Sequence, residues 1–382
     1  MTTLALKMLI GHRASFFGVV FGIFLATLLI SQQSAIFLGV VSRSYRFVTD
    51  IPAPNIWVMD PATESEDKLR MMPAGYLDMV RSTPGVEWAV PLNTVRVPVI
   101  TPSGTFETGQ MYGIDDATLL GAPAEMLQGS IRDLRRDGGV IVDVYSANRS
   151  LAPLNPDGTT RPLSVGDALE INGHHAVVVG ICEITQGFYP QPIIFTSFSN
   201  SQTFYPTDGG MAYILAKSRP NISTEKVCAT INTHAELQAL TRDQLQDRII
   251  DFFLKTGILI NFALSVALGI IIGFSIAGQI FYVMTLQNLM YFALIKAIGG
   301  TKNMMLKMII FQAAIVGFIG FSLGIGATVL WGYAIKNTTL AFLFPWQLFL
   351  FTGFIVLLIC IFTAALSIQK VFKVDPKVLM GT

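Results

Sequence analysis

Charge is what this chain has least of. Asp, Glu, Lys and Arg make up 13% of its 382 residues, and 52% are hydrophobic. A soluble domain carries about 25% charged residues, so the deficit argues for a membrane protein. Cysteine is scarce too: Cys182, Cys228 and Cys360 form no C-x-x-C and no Cys/His array of zinc spacing. Cys182 and Cys228 fall in one extramembrane region, where a disulfide and two buried thiols both remain open readings. No G-x-S-x-G, no H-E-x-x-H and no nucleophile beside an obvious base occurs, so no catalytic set is legible. No G-x-x-x-x-G-K-[ST] occurs either, which excludes ATP binding through a P-loop of this chain's own. The net charge of +1, without a basic cluster, gives no nucleic-acid surface.

What is present is four long apolar runs. Crossing a hydrocarbon core of about 30 Å takes about 20 apolar residues. Residues 14–41, 256–285, 304–335 and 346–368 meet that length, and nothing between 41 and 255 does. The first run is longer than the apolar part of a signal peptide and has no clean A-x-A site after it, so it reads as an uncleaved anchor. Lys296, Lys302 and Lys307 lie between the second and third runs, and Lys370, Lys373 and Lys377 follow the fourth. The third and fourth runs are separated by Lys336 alone. The positive-inside rule then places segment 286–303 and the tail 369–382 in the cytoplasm. Lys7 and Arg13 balance Arg43 and Arg46 across the first run, and it is the even number of spans that puts the interfacial segment 1–13 on the same side. Residues 42–240 and the loop 336–345 are expected outside, in a multi-pass membrane protein with both termini cytoplasmic.

Apart from Lys307 in the first turn of the third, the apolar runs contain no Asp, Glu, Lys or Arg. Intramembrane ionisable residues mark ion paths and proton relays, so their absence speaks against a channel or a proton-coupled transporter. Asn261, Gln279 and Gln312 are the main polar groups, read as helix–helix hydrogen-bonding residues. Glycines pair at a spacing of four as Gly18/Gly22, Gly269/Gly273 and Gly320/Gly324. That spacing lets helix backbones approach closely, either within one chain or in a homodimer.

The region 42–240 reads as mixed α and β. Residues 55–60 (NIWVMD), 86–90, 94–100 and 105–113 alternate like strands, and 73–82 reads as a short helix. Segment 169–184 is a hairpin around Asn172-Gly173. His174 and His175 after that turn point to opposite faces of a strand, which argues against a shared metal. Asp115-Asp116 reads as a solvated turn. Residues 188–205 are rich in aromatics; Phe188, Tyr189, Phe204 and Tyr205 are either core or a substrate or partner contact. Helices are expected over 223–232 and 241–255. The second opens on a Thr241/Gln244 capping box and is expected to run straight into the second span as a stalk.

Segment 285–307, TLQNLMYFALIKAIGGTKNMMLK, is short and amphipathic. Within it ALIKAIGGTKN (293–303) resembles the signature that follows the second span in the MacB/FtsX superfamily of ABC transporter permeases, most closely its DevC-like branch. LALKMLIGHR before the first span, PGVEWAVPL (84–92), GDALEINGHHAVVVGI (166–181), ALTRDQLQDR (239–248) and KVDPKVLM (373–380) carry the resemblance along the chain. It implies four transmembrane helices, with a large mixed α/β, MacB-like periplasmic core domain between helices 1 and 2. It also implies that 286–303 is a coupling helix docked on a separate ABC ATPase, present in two copies, which binds the ATP and Mg. By match the contacts would be Asn288, Tyr291, Phe292, Leu294, Lys296, Gly299 and Lys302. Where family members often carry an acidic residue, this chain has Tyr291, so contact there is expected to be aromatic and apolar. Further implied partners are a second copy of the chain, a periplasmic adaptor protein, an outer-membrane channel and membrane lipids. The chain would itself be non-catalytic. It would export a lipid-like or amphiphilic substrate by relaying ATPase motion to the outer domain. Two alternatives stay open: an FtsX-like transmitter controlling a cell-wall hydrolase, and a lipoprotein-extraction permease.

Overall fold

The computed structural model describes residues 2–66, 68–155, 158–187, 191–336, 338 and 340–372. It divides into two compact units, residues 1–41 with 257–382 and residues 42–256. In chain order, α1 (Thr2–Gly11), α2 (Arg13–Ser44) and α3 (Arg46–Asp50) lead into β1 (Ile56–Met59) and α4 (Gly75–Ser82). Strands β2 (Val86–Ile100), β3 (Phe106–Ile114), β4 (Glu125–Gly129) and β5 (Gly139–Asp143) come next, with α5 (Val144–Asn148). Then follow β6 (Ala168–Ile171), β7 (His174–Glu183), β8 (Ile193–Ser197), α6 (Phe198–Phe204), β9 (Tyr213–Ser218), α7 (Thr224–Ile231) and β10 (Gln238–Thr241). Helices α8 (Arg242–Lys255), α9 (Ile258–Gln287), α10 (Leu289–Ala297), α11 (Lys302–Ile335) and α12 (Trp346–Phe372) complete the chain.

Four of these helices contain stretches long and apolar enough to cross a membrane: Arg13–Ser44, Ile260–Gln287, Asn303–Ile335 and Trp346–Ala365, with mean hydropathies of 2.2, 2.2, 2.2 and 2.7. Their shared core holds Val20, Ile23, Phe281, Ile309, Val316 and Ile359. Several of the few polar groups inside bond to a neighbouring turn or helix. Thr27 and Ser31 hydroxyls donate to carbonyls one turn back, and Ser31 meets Thr328 at 2.6 Å. Such bonds satisfy groups that have no water to turn to.

The second unit is built on one ten-stranded mixed sheet ordered β10-β1-β9-β2-β3-β8-β5-β7-β4, with β6 pairing to both β7 and β2. β3–β8 and β5–β7 are parallel. The expectation of two strands at 86–90 and 94–100 is corrected to one 15-residue strand. Pro91 does not interrupt it, because the strand changes partner there: Val86–Leu92 pairs with β9 and Leu92–Ile100 with β3. At the 172–173 hairpin Asn172 and Gly173 both have positive φ, 49° and 81°, as the two-residue turn that matches strand twist requires. One core packs Val97, Val99, Val140, Val178 and Ile194, and a second packs Ile56, Val58, Val80, Ile214 and Val227.

The expected continuous rod from the stalk helix into the second span is also corrected. α8 has its full capping box at Thr241 and Gln244. It ends at Lys255, Gly257 turns left-handed with φ 78°, and α9 starts afresh at Ile258. A glycine in that conformation closes a helix at almost no steric cost.

Candidate functional site

The turn between the second and third spans is built as two opposed helix ends. α9 stops at Asn288, whose side-chain amide is buried and donates 2.9 Å to Met284 O. α10 then runs nine residues. Its close satisfies two orphan carbonyls together: Gly299 N–H donates to Lys296 O at 3.2 Å and Gly300 N–H to Ile295 O at 2.8 Å. That is a Schellman closure, and it works because Gly299 holds φ 90°. Thr301 then caps α11, accepting the Met304 N–H at 3.3 Å. Helix direction is thus fixed on both sides of a two-glycine corner.

α10 has two unlike faces. Phe292, Ala293 and Ile295 are buried. Phe292 and Ile295 pack with Met8, Leu9, Met284 and Met305. Met290, Tyr291, Leu294 and Ile298 are exposed, Ile298 at 79%. Of the residues matched to the coupling signature, Tyr291, Leu294 and Gly299 therefore lie at the surface and Lys296 is half-buried. Asn288 and Phe292 face the chain's own helices and are not available to a partner. Lys302 is the first residue of α11. Met290 and Ile298 were missed; the spacing 290, 294, 298 places them with Leu294 on one helical face.

The glycine pairs all meet another helix of the same chain. A methyl group added at Gly18 or Gly22 would reach Ile280 or Ile276 of α9. At Gly269 and Gly273 it would reach Ile30 and Ala26 of α2, and at Gly320 and Gly324 it would reach Ile23 and Thr27. Gln312, read as an interhelical bonding residue, donates 2.8 Å to Ala5 O in α1.

In the extramembrane unit, Phe204 is 1% exposed and belongs to a core, which removes it from the candidate contacts, while Tyr205 is 43% exposed. Phe188 and Tyr189 lie outside the described residues. All three thiols are free and buried. Burial pushes the Cys228 pKa up to about 11 and that of Cys182 higher still. Among the described residues no group of three or more His, Cys, Asp or Glu side chains could hold a metal.

One cluster had no signal in the sequence. Arg46, two residues beyond α2, is 4% exposed. Its Nη2 lies 3.5 Å from the Tyr112 hydroxyl, and Tyr112 in turn donates to Glu66. Burial disfavours the guanidinium cation, but Tyr112, Glu66, Asp50 and Asp143 together hold its pKa above the ordinary value. Burial raises the pKa values of Tyr112 and Asp143. Asp143 caps α5 through Ser146 N–H and takes Ile193 N–H, each at 2.9 Å. Gly187 presses on the same cation: a Cβ there would stand 2.6 Å from Arg46 Nε. The exit helix is tied to the same corner, Arg242 donating 3.0 Å to Ile51 O.

The chain thus has a four-helix membrane unit with an α/β domain inserted between its first and second spans, and sequence families match both parts. The MacB-like periplasmic core domain matches residues 15–234, and the FtsX-like permease C-terminal domain matches residues 263–376. The chain belongs to the MacB/FtsX superfamily of ABC transporter permeases and is a multi-pass protein of the bacterial inner membrane. Solved structures resemble it as well. The periplasmic region of MacB from Actinobacillus actinomycetemcomitans is 12% identical, with a TM-score of 0.39 over 53% of this chain and 95% of that one. The extracellular domain of the ABC-type transporter YknZ from Gram-positive bacteria is 10% identical, with a TM-score of 0.36 over 49% and 99%. No curated protein matches the chain.

Proposed function

We propose that this chain is the permease subunit of an ABC-type export complex in which a separate ATPase drives the outer domain. The observation that carries the reading is the exposed face of α10, where Met290, Tyr291, Leu294 and Ile298 stand clear of the bundle. An apolar helix face in water is a docking surface, and the Schellman corner at Gly299 and Gly300 fixes its direction. Nucleotide-driven movement of the ATPase pair would carry α10 with it and reach the head through α9 and α8. On this reading residues 288–301 and both termini are cytoplasmic and residues 42–256 are outside.

The substrate would be lipid-like or amphiphilic. A cavity of about 370 Å³ opens between α2, α9 and α12 near the chain ends that lead to and from residues 42–256. Phe37, Val266, Leu348 and Phe351 line it, with Ser34 and Gln347 supplying polarity. Its volume lies within the range of small-molecule sites, and its lining suits an acyl chain better than an ion. Leu294→Asp tests the coupling. In the assembled complex it is expected to abolish substrate-stimulated ATP hydrolysis while the membrane unit stays folded, and unchanged stimulation would sink the docking role.

A further inference from the structure

A second groove lies at the α1/α10 end of the membrane unit. It has a volume of about 460 Å³ and runs between α1 and the first turns of α11. Two columns of α11 form its wall. Met304, Met308 and Phe311 recur at helical spacing as an apolar column, and Asn303 and Lys307 stand beside them as a polar one. Ala5 closes the α1 side, and the Gln312–Ala5 hydrogen bond pins that helix one turn further along.

Charge at this end has one sign. Residues 1–41 and 257–382 hold nine Lys or Arg against one Asp, whereas residues 42–256 hold 17 against 24 Asp or Glu. No Asp or Glu occurs from 252 to 374 or before Asp50. Lys307 is exposed at the groove's rim, so no carboxylate of this unit's described residues competes for it. A cation above an apolar furrow, at the end of a transmembrane helix, is the pattern that takes a lipid phosphate and its acyl chain together.

We propose that this groove binds one anionic phospholipid, with the headgroup at Lys307 and Asn303 and an acyl chain along Met304, Met308 and Phe311. The lipid would wedge α1 against α11, beside the buried side of α10. The site requires that the four helices span a bilayer; it does not require that α10 couples to an ATPase, and loss of coupling in Leu294→Asp leaves it untouched.

The test is native mass spectrometry of the full-length chain in detergent, titrated with phosphatidylglycerol and with phosphatidylcholine. One phosphatidylglycerol should be retained in preference to phosphatidylcholine. Lys307→Gln should cut that preference about fivefold, the effect of one cation near a charged headgroup. Met308→Trp, which fills the furrow, should remove the bound lipid. Lys336→Gln, at the other end of the same helix, should change nothing. Equal retention of the two lipids would overturn the proposal, as would a preference that survives both groove variants or one that Lys336→Gln reduces equally. Benzoylphenylalanine in place of Asn303 should crosslink to lipid; capture of a polypeptide instead would overturn it too.

Discussion

At the scale of single residues, the molecule concentrates its risk in a few buried charges. Arg46 faces Asp50, Glu66 and Asp143, which with Tyr112 hold it charged against the effect of burial. Arg46→Met should therefore destabilise the head by about 3–5 kcal/mol, the effect of stranding buried carboxylates, read by thermal unfolding of the purified chain. The exposed pair Arg161–Asp167 behaves differently. Both guanidinium nitrogens donate to the carboxylate at 2.7 Å, and these bonds lower the Asp167 pKa. A lowered folded-state pKa gives stability that is present above the ordinary Asp value and lost as pH falls through the folded one. Arg161→Ala should thus melt earlier than the parent at neutral pH and together with it in strong acid; a difference that persists in acid would contradict this. Neither site was legible in the sequence. Arg46 reads as an ordinary basic residue flanking a span, and nothing local announces that the fold closes over it. The aromatic run at 188–205 left core and contact open for the same reason: Phe204 and Tyr205 are adjacent and chemically similar, and the fold around α6 buries the first and leaves the second exposed.

At the scale of elements, local chemistry was more informative. The Thr241/Gln244 box, the Asn172-Gly173 hairpin and the four apolar runs are each set by neighbouring residues, so the chain states them directly. β2 and the α8–α9 break were not stated, because each depends on something outside the window. β2 stays whole through Pro91 because it trades β9 for β3 there, and α8 ends because Gly257, just past its last residue, turns left-handed. Glycine spacing announced close approach but not which helix approaches. Gly324 lies where a methyl group would be 2.5 Å from Thr27 Cβ. Gly324→Val should cost about 1–3 kcal/mol through overpacking, seen as a lower melting temperature in detergent with the head's own unfolding unchanged.

For the whole molecule, orientation is the property on which the reading of every surface depends. The native thiols are all buried, and burial slows maleimide attack, so introduced exposed cysteines should report cleanly. Ser103→Cys should label in intact cells and Asn303→Cys only after permeabilisation; the reverse pattern would invert the molecule. The overall plan of four helices around one inserted α/β region was readable from hydropathy alone. The sheet order was not, since six of the ten strands have five residues or fewer and their pairing is set by partners far along the chain.

The bond from Arg242 to the carbonyl of Ile51 has an evolutionary consequence. It brings the first and last elements of residues 42–256 to one corner, so the region is spliced into the chain like a cassette with adjoining ends. Such a cassette can be exchanged between related permeases as a unit, because both of its ends re-enter the host chain at the same point.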